Sequence, residues 1–131
     1  SVNTGYTYLG LIFSEKQGFS KFGGYTGNGN ADGKFVYTGF RPAYVLSKRT
    51  NGAADWMLLD SKRLGYNPDN NPLFPDGSGA DSDVNVMDIL SNGFKLRATS
   101  VDINGSGDTY IYAAFAEAPF VNSNGVPCNA R

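Results

Sequence analysis

The chain has 131 residues, with eleven basic and twelve acidic side chains, no histidine and a formal net charge of −1. A net charge so close to zero provides no basic field for nucleic acid, and the lack of histidine excludes a Ser-His-Asp triad, a histidine general base and most zinc sites. Aromatic residues make up 14% of the chain and glycine contributes 17 residues, a composition that favours strands and tight turns over helices.

Neither a membrane span nor a disulfide framework is expected. The longest apolar run, Leu9 to Phe13, is far shorter than the roughly 20 residues that cross a bilayer, so we expect no membrane insertion. Cys128 is the single cysteine, and it therefore has no partner within the chain. The fold must be stabilised by burial of apolar side chains, and association between copies would add to it.

Eight segments rich in aromatic or β-branched residues predict strands. In chain order they are residues 7–13, 23–25, 33–37, 43–49, 55–60, 84–90, 94–97 and 109–116. Alternation in the seventh segment predicts that Phe94 and Leu96 point inward. No stretch of ten to twelve residues keeps a helical period without glycine or proline, so we predict an all-β fold, an antiparallel β-sandwich.

Turn signals join these segments. Asn51-Gly52 and Asn92-Gly93 predict hairpin tips, because Asn-Gly accepts the positive φ angles of a type I′ turn. Residues 64–83 contain three prolines, several Asn and Asp residues and only scattered apolar side chains. They predict a long, ordered surface loop, and loops of that kind are often functional.

Two distant parts of the chain repeat each other. The sequence Thr-Tyr-Leu at 7–9, followed by Phe-Ser-Glu at 13–15, returns as Thr-Tyr-Ile at 109–111, followed by Phe-Ala-Glu at 115–117, an offset of 109 − 7 = 102 residues. Chance similarity of two aromatic strands is one explanation. The other is a tandem module, in which residues 1–19 are the final strand of a preceding module or a strand swapped onto the sandwich.

Four long tracts carry a family resemblance: residues 19–33, 35–46, 91–97 and 109–120. Together they resemble a recurrent domain of tail-fibre and other virion surface proteins of tailed bacteriophages, especially marine, cyanophage-type ones. The resemblance implies a lectin-like sandwich of the jelly-roll or concanavalin type. It also implies a Gly-rich connector at 20–33, a sandwich module at 34–120 and a C-terminal tail at 121–131.

Several side chains suit a glycan site, which combines a flat aromatic surface with groups that bind hydroxyls. The candidate residues are Trp56, Arg63, Tyr66, Asp69, Asn70 and Asn71, with Tyr44 and Phe74 as further aromatic surfaces. Trp56 and Tyr44 lie on a hairpin with apolar residues on both faces, and for these two the core interpretation is favoured.

Carboxylates suggest two other sites. Asp76, Asp81 and Asp83 lie in a Gly-rich stretch and are the only indication of a cofactor, calcium, which takes oxygen ligands from flexible loops; side chains that close their own turns are the alternative. Glu15 and Glu117 are the candidates for a glycosidase pair, which needs two carboxylates about 5 to 10 Å apart. Their equivalent positions in the repeat favour a structural role instead, and no catalytic residue is assigned.

The resemblance therefore implies a non-enzymatic module on the virion surface, outside the cell, that binds a bacterial surface glycan during host adsorption. We expect contacts with other virion proteins and a homo-oligomer, with a trimer favoured, because many copies raise avidity. One alternative is a capsid decoration or fibre-shaft protein that only packs against virion proteins. The other is a glycan-degrading depolymerase.

Overall fold

The computed structural model describes residues 5, 7–63, 67 and 71–118, and these residues form strands but no helix. The strands are β1 Ser20–Thr26, β2 Phe35–Tyr37, β3 Pro42–Arg49, β4 Met57–Asp60, β5 Met87–Leu90, β6 Gly93–Leu96 and β7 Thr109–Ala116. Accordingly, this part of the chain contains no helix long and apolar enough to cross a bilayer.

The strands form two antiparallel sheets. The large sheet has the order β1-β7-β3-β4 and the small sheet the order β2-β6-β5. The inner faces of the two sheets share one hydrophobic core, so the predicted all-β sandwich is confirmed. Seven of the eight predicted strand segments contain a strand.

Alternating side chains of both sheets build the core. Phe94 and Leu96 of β6 are both fully buried, as their alternation predicts. The Phe94 ring lies 5.3 Å from the ring of Tyr112 on β7 and 6.2 Å from that of Tyr25 on β1. This side chain therefore joins the small sheet to the large one, and its burial alone contributes about 2 kcal/mol.

Both predicted hairpins form, but neither uses a type I′ turn. Leu90 pairs with Gly93, so only Ser91 and Asn92 lie in the β5–β6 loop. Asn92, Gly93, Asn51 and Gly52 all lack a positive φ. Gly93 is required for a different reason: a Cβ there would lie 2.1 Å from the Val36 carbonyl oxygen, so glycine allows the close approach of β2.

The tract predicted as a Gly-rich connector, residues 20–33, contains β1 and a segment fastened to Asn104. This asparagine is fully buried, and its Oδ1 accepts a hydrogen bond from the Asn28 amide at 2.9 Å. Its Nδ2 donates to the carbonyl oxygens of Asn30 at 2.9 Å and Ala98 at 2.8 Å. One side chain thus holds residues 28–30 against the loop that follows β6.

No strand forms over residues 7–13, so that prediction is wrong for the single chain. Leu9 is 88% exposed and Ile12 is 96% exposed. The segment has strand-forming residues, but a strand also needs a hydrogen-bonding neighbour, and only Lys16, which bridges to Ser20, has one in this part of the chain.

Candidate functional site

A groove of about 470 Å³ opens at the end of the sandwich where β4 begins. Its apolar lining includes Met57, Phe74 and Val86, and Met57 and Val86 are themselves buried core residues. The polar lining includes Asn85, Arg97, Ser100 and Asp102. The groove therefore sets an apolar floor, continuous with the core, beside groups that form hydrogen bonds.

Two aspartates hold Arg97 at the groove. Its Nε lies 2.5 Å from Asp88 Oδ2, and its Nη1 lies 3.7 Å from Asp32 Oδ1. Asp32 also pairs with Lys95 Nζ at 2.6 Å, and the hydrogen bond from Lys95 is the main reason that the pKa of Asp32 is lowered. Asp32 thus remains a carboxylate at neutral pH, and the Arg97 guanidinium lies between two carboxylates that fix its direction.

Asp102 is equally well fixed. Its Oδ1 accepts a hydrogen bond from the Asp55 amide at 3.2 Å, and its Oδ2 accepts one from the Ser100 hydroxyl at 2.8 Å. The same hydroxyl oxygen accepts a bond from the Asp102 amide at 3.2 Å. This local turn, of the kind that Ser and Asp favour, sets the direction of both side chains at the groove wall.

Trp56 lies directly before Met57 and next to the groove. Its backbone amide donates to Asp76 Oδ1 at 3.0 Å. The ring is half-buried, with Lys48 Nζ 5.9 Å from its centroid, a distance that suits a cation–π contact. Tyr44 is also half-buried. Neither side chain belongs to the core, so the core interpretation of these two residues is wrong.

Arg63 lies beyond the other end of β4. It donates from Nη2 to the Asn71 carbonyl oxygen at 2.9 Å and pairs through Nε with Asp60 Oδ2 at 2.5 Å. Partial burial opposes ionisation of Asp60, but the hydrogen bonds from Arg63 and Lys62 outweigh it and lower the pKa of this carboxyl. β4, about 13 Å long at 3.3 Å per residue, separates Arg63 from Trp56.

The residues predicted for glycan binding therefore do not form a single site in the described part of the chain. Arg63 is close to Asn71, whose side chain is buried and whose Oδ1 has no hydrogen-bond partner in the described part of the chain. Tyr66, Asp69 and Asn70 lie outside the described residues. Among the candidates within the described residues, Phe74 lines the groove, and Trp56 directly precedes the lining residue Met57 in the chain.

Most of the carboxylates predicted for calcium or catalysis pair with other groups of the protein. Asp76, Asp81 and Asp83 are exposed, and Asp81 Oδ2 lies 3.4 Å from Arg63 Nη1. Across residues 7–63 and 71–118, no group of three Asp, Glu or Cys residues is arranged to hold a metal ion. Calcium binding stays a prediction. Glu117 pairs with Arg41 at 3.0 Å.

A second surface lies on the outer side of the large sheet. We call it the aromatic face; it consists of Phe13, Phe19, Phe22, Tyr44 and Phe115. Phe115 is at its centre, with ring centroids 5.7 to 6.1 Å from those of the other four. Phe13 and Phe115 are equivalent positions of the repeat, so the two copies of the motif contact each other.

Charged pairs border the aromatic face. Glu15 and Lys21 form an exposed ion pair at 2.7 Å. The hydrogen bond between them is the main cause that lowers the pKa of Glu15 and raises the pKa of Lys21. An apolar centre with a polar border is the usual anatomy of a protein contact surface.

Sequence reasoning missed Asn85, Arg97, Ser100 and Asp102. The Ser-x-Asp spacing at 100–102 is a signal for a local turn, but nothing in the sequence indicates that this turn faces Phe74. The groove residues come from separate stretches of the chain, and only the pairing of distant strands brings them together.

One comparison with known proteins gives a result. A family model described as a domain of unknown function, DUF7483, matches residues 1–119. No curated protein and no solved structure matches the chain. The matched region contains both sheets, the groove, the aromatic face and the segment that precedes β1. The chain therefore belongs to the DUF7483 family.

Proposed function

We propose that this chain is a non-catalytic recognition module that binds carbohydrate in the groove. The observation that carries the proposal is the partly buried Phe74 beside Arg97 and Asp102, each already oriented by other residues. A sugar ring offers an apolar C–H surface and a rim of hydroxyls. An aromatic floor with fixed donors and acceptors complements both.

The polar groups retain capacity for a ligand. Arg97 has five N–H donors, and its ion pairs engage Nε and Nη1. Among the described residues Nη2 has no side-chain partner, so it is available to a hydroxyl. Because Arg97 and Asp102 are held in place, binding orders few side chains and loses little conformational entropy.

We place the module on a virion surface, where it would bind a host-surface glycan during adsorption. The support is the resemblance of residues 19–33, 35–46, 91–97 and 109–120 to tail-fibre and other virion domains. An open groove gives weak affinity for a single sugar, and display of many copies would make the attachment strong.

Binding to purified bacterial surface polysaccharides, measured by calorimetry, tests the proposal. We expect saturable binding that Asn85→Ala weakens about tenfold, because loss of one hydrogen bond in a binding site costs roughly 1.5 kcal/mol. The matched control is Asn92→Ala, at an exposed asparagine of the β5–β6 turn outside the groove. Equal binding by the two variants, or none by the parent chain, would refute the groove as the site.

Tyr66→Ala extends the same experiment to the predicted loop site, which lies outside the described residues. Loss of binding in Tyr66→Ala together with normal binding in Asn85→Ala would move the site to that loop.

Assay of the same polysaccharides for shortened products tests the depolymerase alternative, and product formation would contradict a non-catalytic module.

The aromatic face favours a second candidate function, that of an assembly module. Phe13 is 58% exposed and Phe19 is 45% exposed, and they lie in one cluster rather than scattered. Such clusters mark protein contact surfaces. In this case the chain would bind another virion protein, as a decoration or fibre-shaft protein does, and Phe19→Ala would weaken co-assembly while polysaccharide binding stayed absent.

A further inference from the structure

The free edge of β1 is one half of an interaction surface. Ser20 exchanges backbone hydrogen bonds with Lys16. On the β7 side, the Phe19 carbonyl oxygen accepts a hydrogen bond from the Ala116 amide, and the Gly27 amide donates one to the Asp108 carbonyl oxygen. Since backbone groups alternate along an antiparallel strand, Gly24 and Thr26 direct their N–H and C=O groups away from β7. These groups have no partner among the described residues.

Two other strand edges are protected. Leu73 exchanges two 2.9 Å backbone hydrogen bonds with Leu58 on the outer side of β4. Asn67 uses its side chain to bond both the amide and the carbonyl of Ile89 on β5, at 2.9 and 2.8 Å. An unprotected strand edge accepts another strand, and the unprotected part of β1 is its C-terminal portion, from Gly24 to Thr26.

The segment 7–13 is the other half of the surface. Leu9, Leu11 and Ile12 are 73 to 96% exposed, although the composition of the segment is that of a strand. It also repeats β7, the strand that β1 already accepts along its other edge. Its sequence therefore suits strand addition, and it lacks only a neighbouring edge.

Within one chain the segment and the edge do not meet. A hairpin continued from the Lys16–Ser20 bridge would set Phe13 opposite Gly23, whose Cβ position points at the inward-facing Tyr112 ring. Phe13 instead packs on the outer side of the sheet, 6.0 Å from Phe22. Residues 7–13 therefore do not continue the antiparallel pairing that begins at Lys16 and Ser20, and the β1 edge of the same chain remains unpaired.

We infer that two copies of this chain associate by strand addition, with residues 7–12 of each copy pairing along the Gly24–Thr26 edge of the other. The surface is self-complementary, because each copy carries both the free Gly24–Thr26 edge and the unpaired apolar segment 7–12. Such a two-fold exchange buries the exposed apolar side chains and satisfies the open backbone groups of both copies at once. The groove takes no part in it.

Sedimentation equilibrium of the full chain over a range of concentrations tests this association. We expect twice the 14.0 kDa mass of one chain, and a single-chain mass for Ile12→Asp, because a charge within the added strand opposes its burial. Ile12 is 96% exposed in the single chain, so the variant should fold normally, which circular dichroism verifies. Val101→Asp, at another exposed apolar residue, is the control and should remain a dimer.

Hydrogen exchange gives an independent measurement. The Gly24 and Thr26 amides should exchange more slowly as the concentration rises, and Ile12→Asp should remove this protection. A single-chain mass at every concentration, or a dimer that Ile12→Asp leaves intact, would overturn the inference. Neither result depends on polysaccharide binding, so failure here is distinguishable from failure of the groove.

Discussion

Asn104 connects two parts of the chain that line the groove. It joins residues 28–30 to Ala98 with hydrogen bonds from one buried side chain, and Ala31 and Ala98 both line the groove. The third Asn-Gly pair of the chain is thus an anchoring point within the fold, whereas the other two lie at hairpin turns.

Asn104→Ala should lower the free energy of unfolding by roughly 3 kcal/mol, because it leaves several buried backbone groups without partners, each costing about 1 to 3 kcal/mol. Urea denaturation measures the change. Asn92→Ala, at an exposed asparagine, should stay within about 0.5 kcal/mol of the parent. Similar losses in the two variants would show that the Asn104 contacts contribute little.

Asp60 should make stability depend on pH. The pKa of Asp60 is lowered in the folded chain, so in acid the unfolded chain binds more protons than the folded chain. The stabilisation is therefore fully present above the pKa of the unfolded chain, about 3.9. It is lost as the pH falls through the lower pKa of the folded chain. Asp60→Asn keeps an acceptor for the Lys62 amide but loses the ion pair. We expect a loss of about 1 kcal/mol at pH 7.

Denaturant titrations from pH 7 down to the acid limit of folding measure this difference. The gap between parent and Asp60→Asn should narrow as the pH falls below about 4. The control is Asp83→Asn, at an exposed aspartate with no ion pair in the described part of the chain. A gap that is constant with pH would contradict a charge effect.

At the scale of elements, β6 depends on the close approach of the chain that leads into β2. A Cβ on Gly33 would lie 2.6 Å from Leu96 Cβ and 2.7 Å from the Leu96 carbonyl oxygen. The Gly33 amide donates to that same oxygen at 3.1 Å. The glycine is thus required by packing, and its φ is not positive.

Gly33→Ala should therefore destabilise the sandwich by about 1 to 3 kcal/mol through overpacking. Gly79→Ala is the matched control, because nothing lies within 4 Å of its Cβ position and its φ is not positive. Thermal unfolding of both variants measures the effect. If both substitutions changed the melting temperature equally, the steric explanation would be wrong.

Strand prediction succeeded or failed for identifiable reasons. Segment 109–116 became β7 with the same bounds, because alternation of inward and outward side chains is a local property that survives in the fold. Segment 7–13 has the same pattern and forms no strand, because pairing depends on a neighbouring edge that the sequence does not supply. Periodicity indicates which secondary structure a segment favours. Strand formation also depends on whether the edge of another strand lies beside the segment.

For the whole molecule, the N-terminal segment is separable from the core. Every buried residue of the described chain lies at or after Ser20. Deletion of residues 1–12 should therefore leave cooperative unfolding intact. The melting temperature of the full chain should rise with concentration, since a dimer is stabilised by mass action, and that of the truncated chain should not. Calorimetry at several concentrations measures both, and loss of cooperative unfolding would place the segment in the core.

The sequence by itself determined the fold class, seven of the strands, both hairpins and the inward direction of Phe94 and Leu96. These follow from composition, alternation and short connections, which act over a few residues. Only the tertiary structure decided where the groove forms. The groove joins Phe74 to Arg97 and Asp102, and Trp56 is separated from Arg63, because strand order and the packing of two sheets decide which distant residues become neighbours.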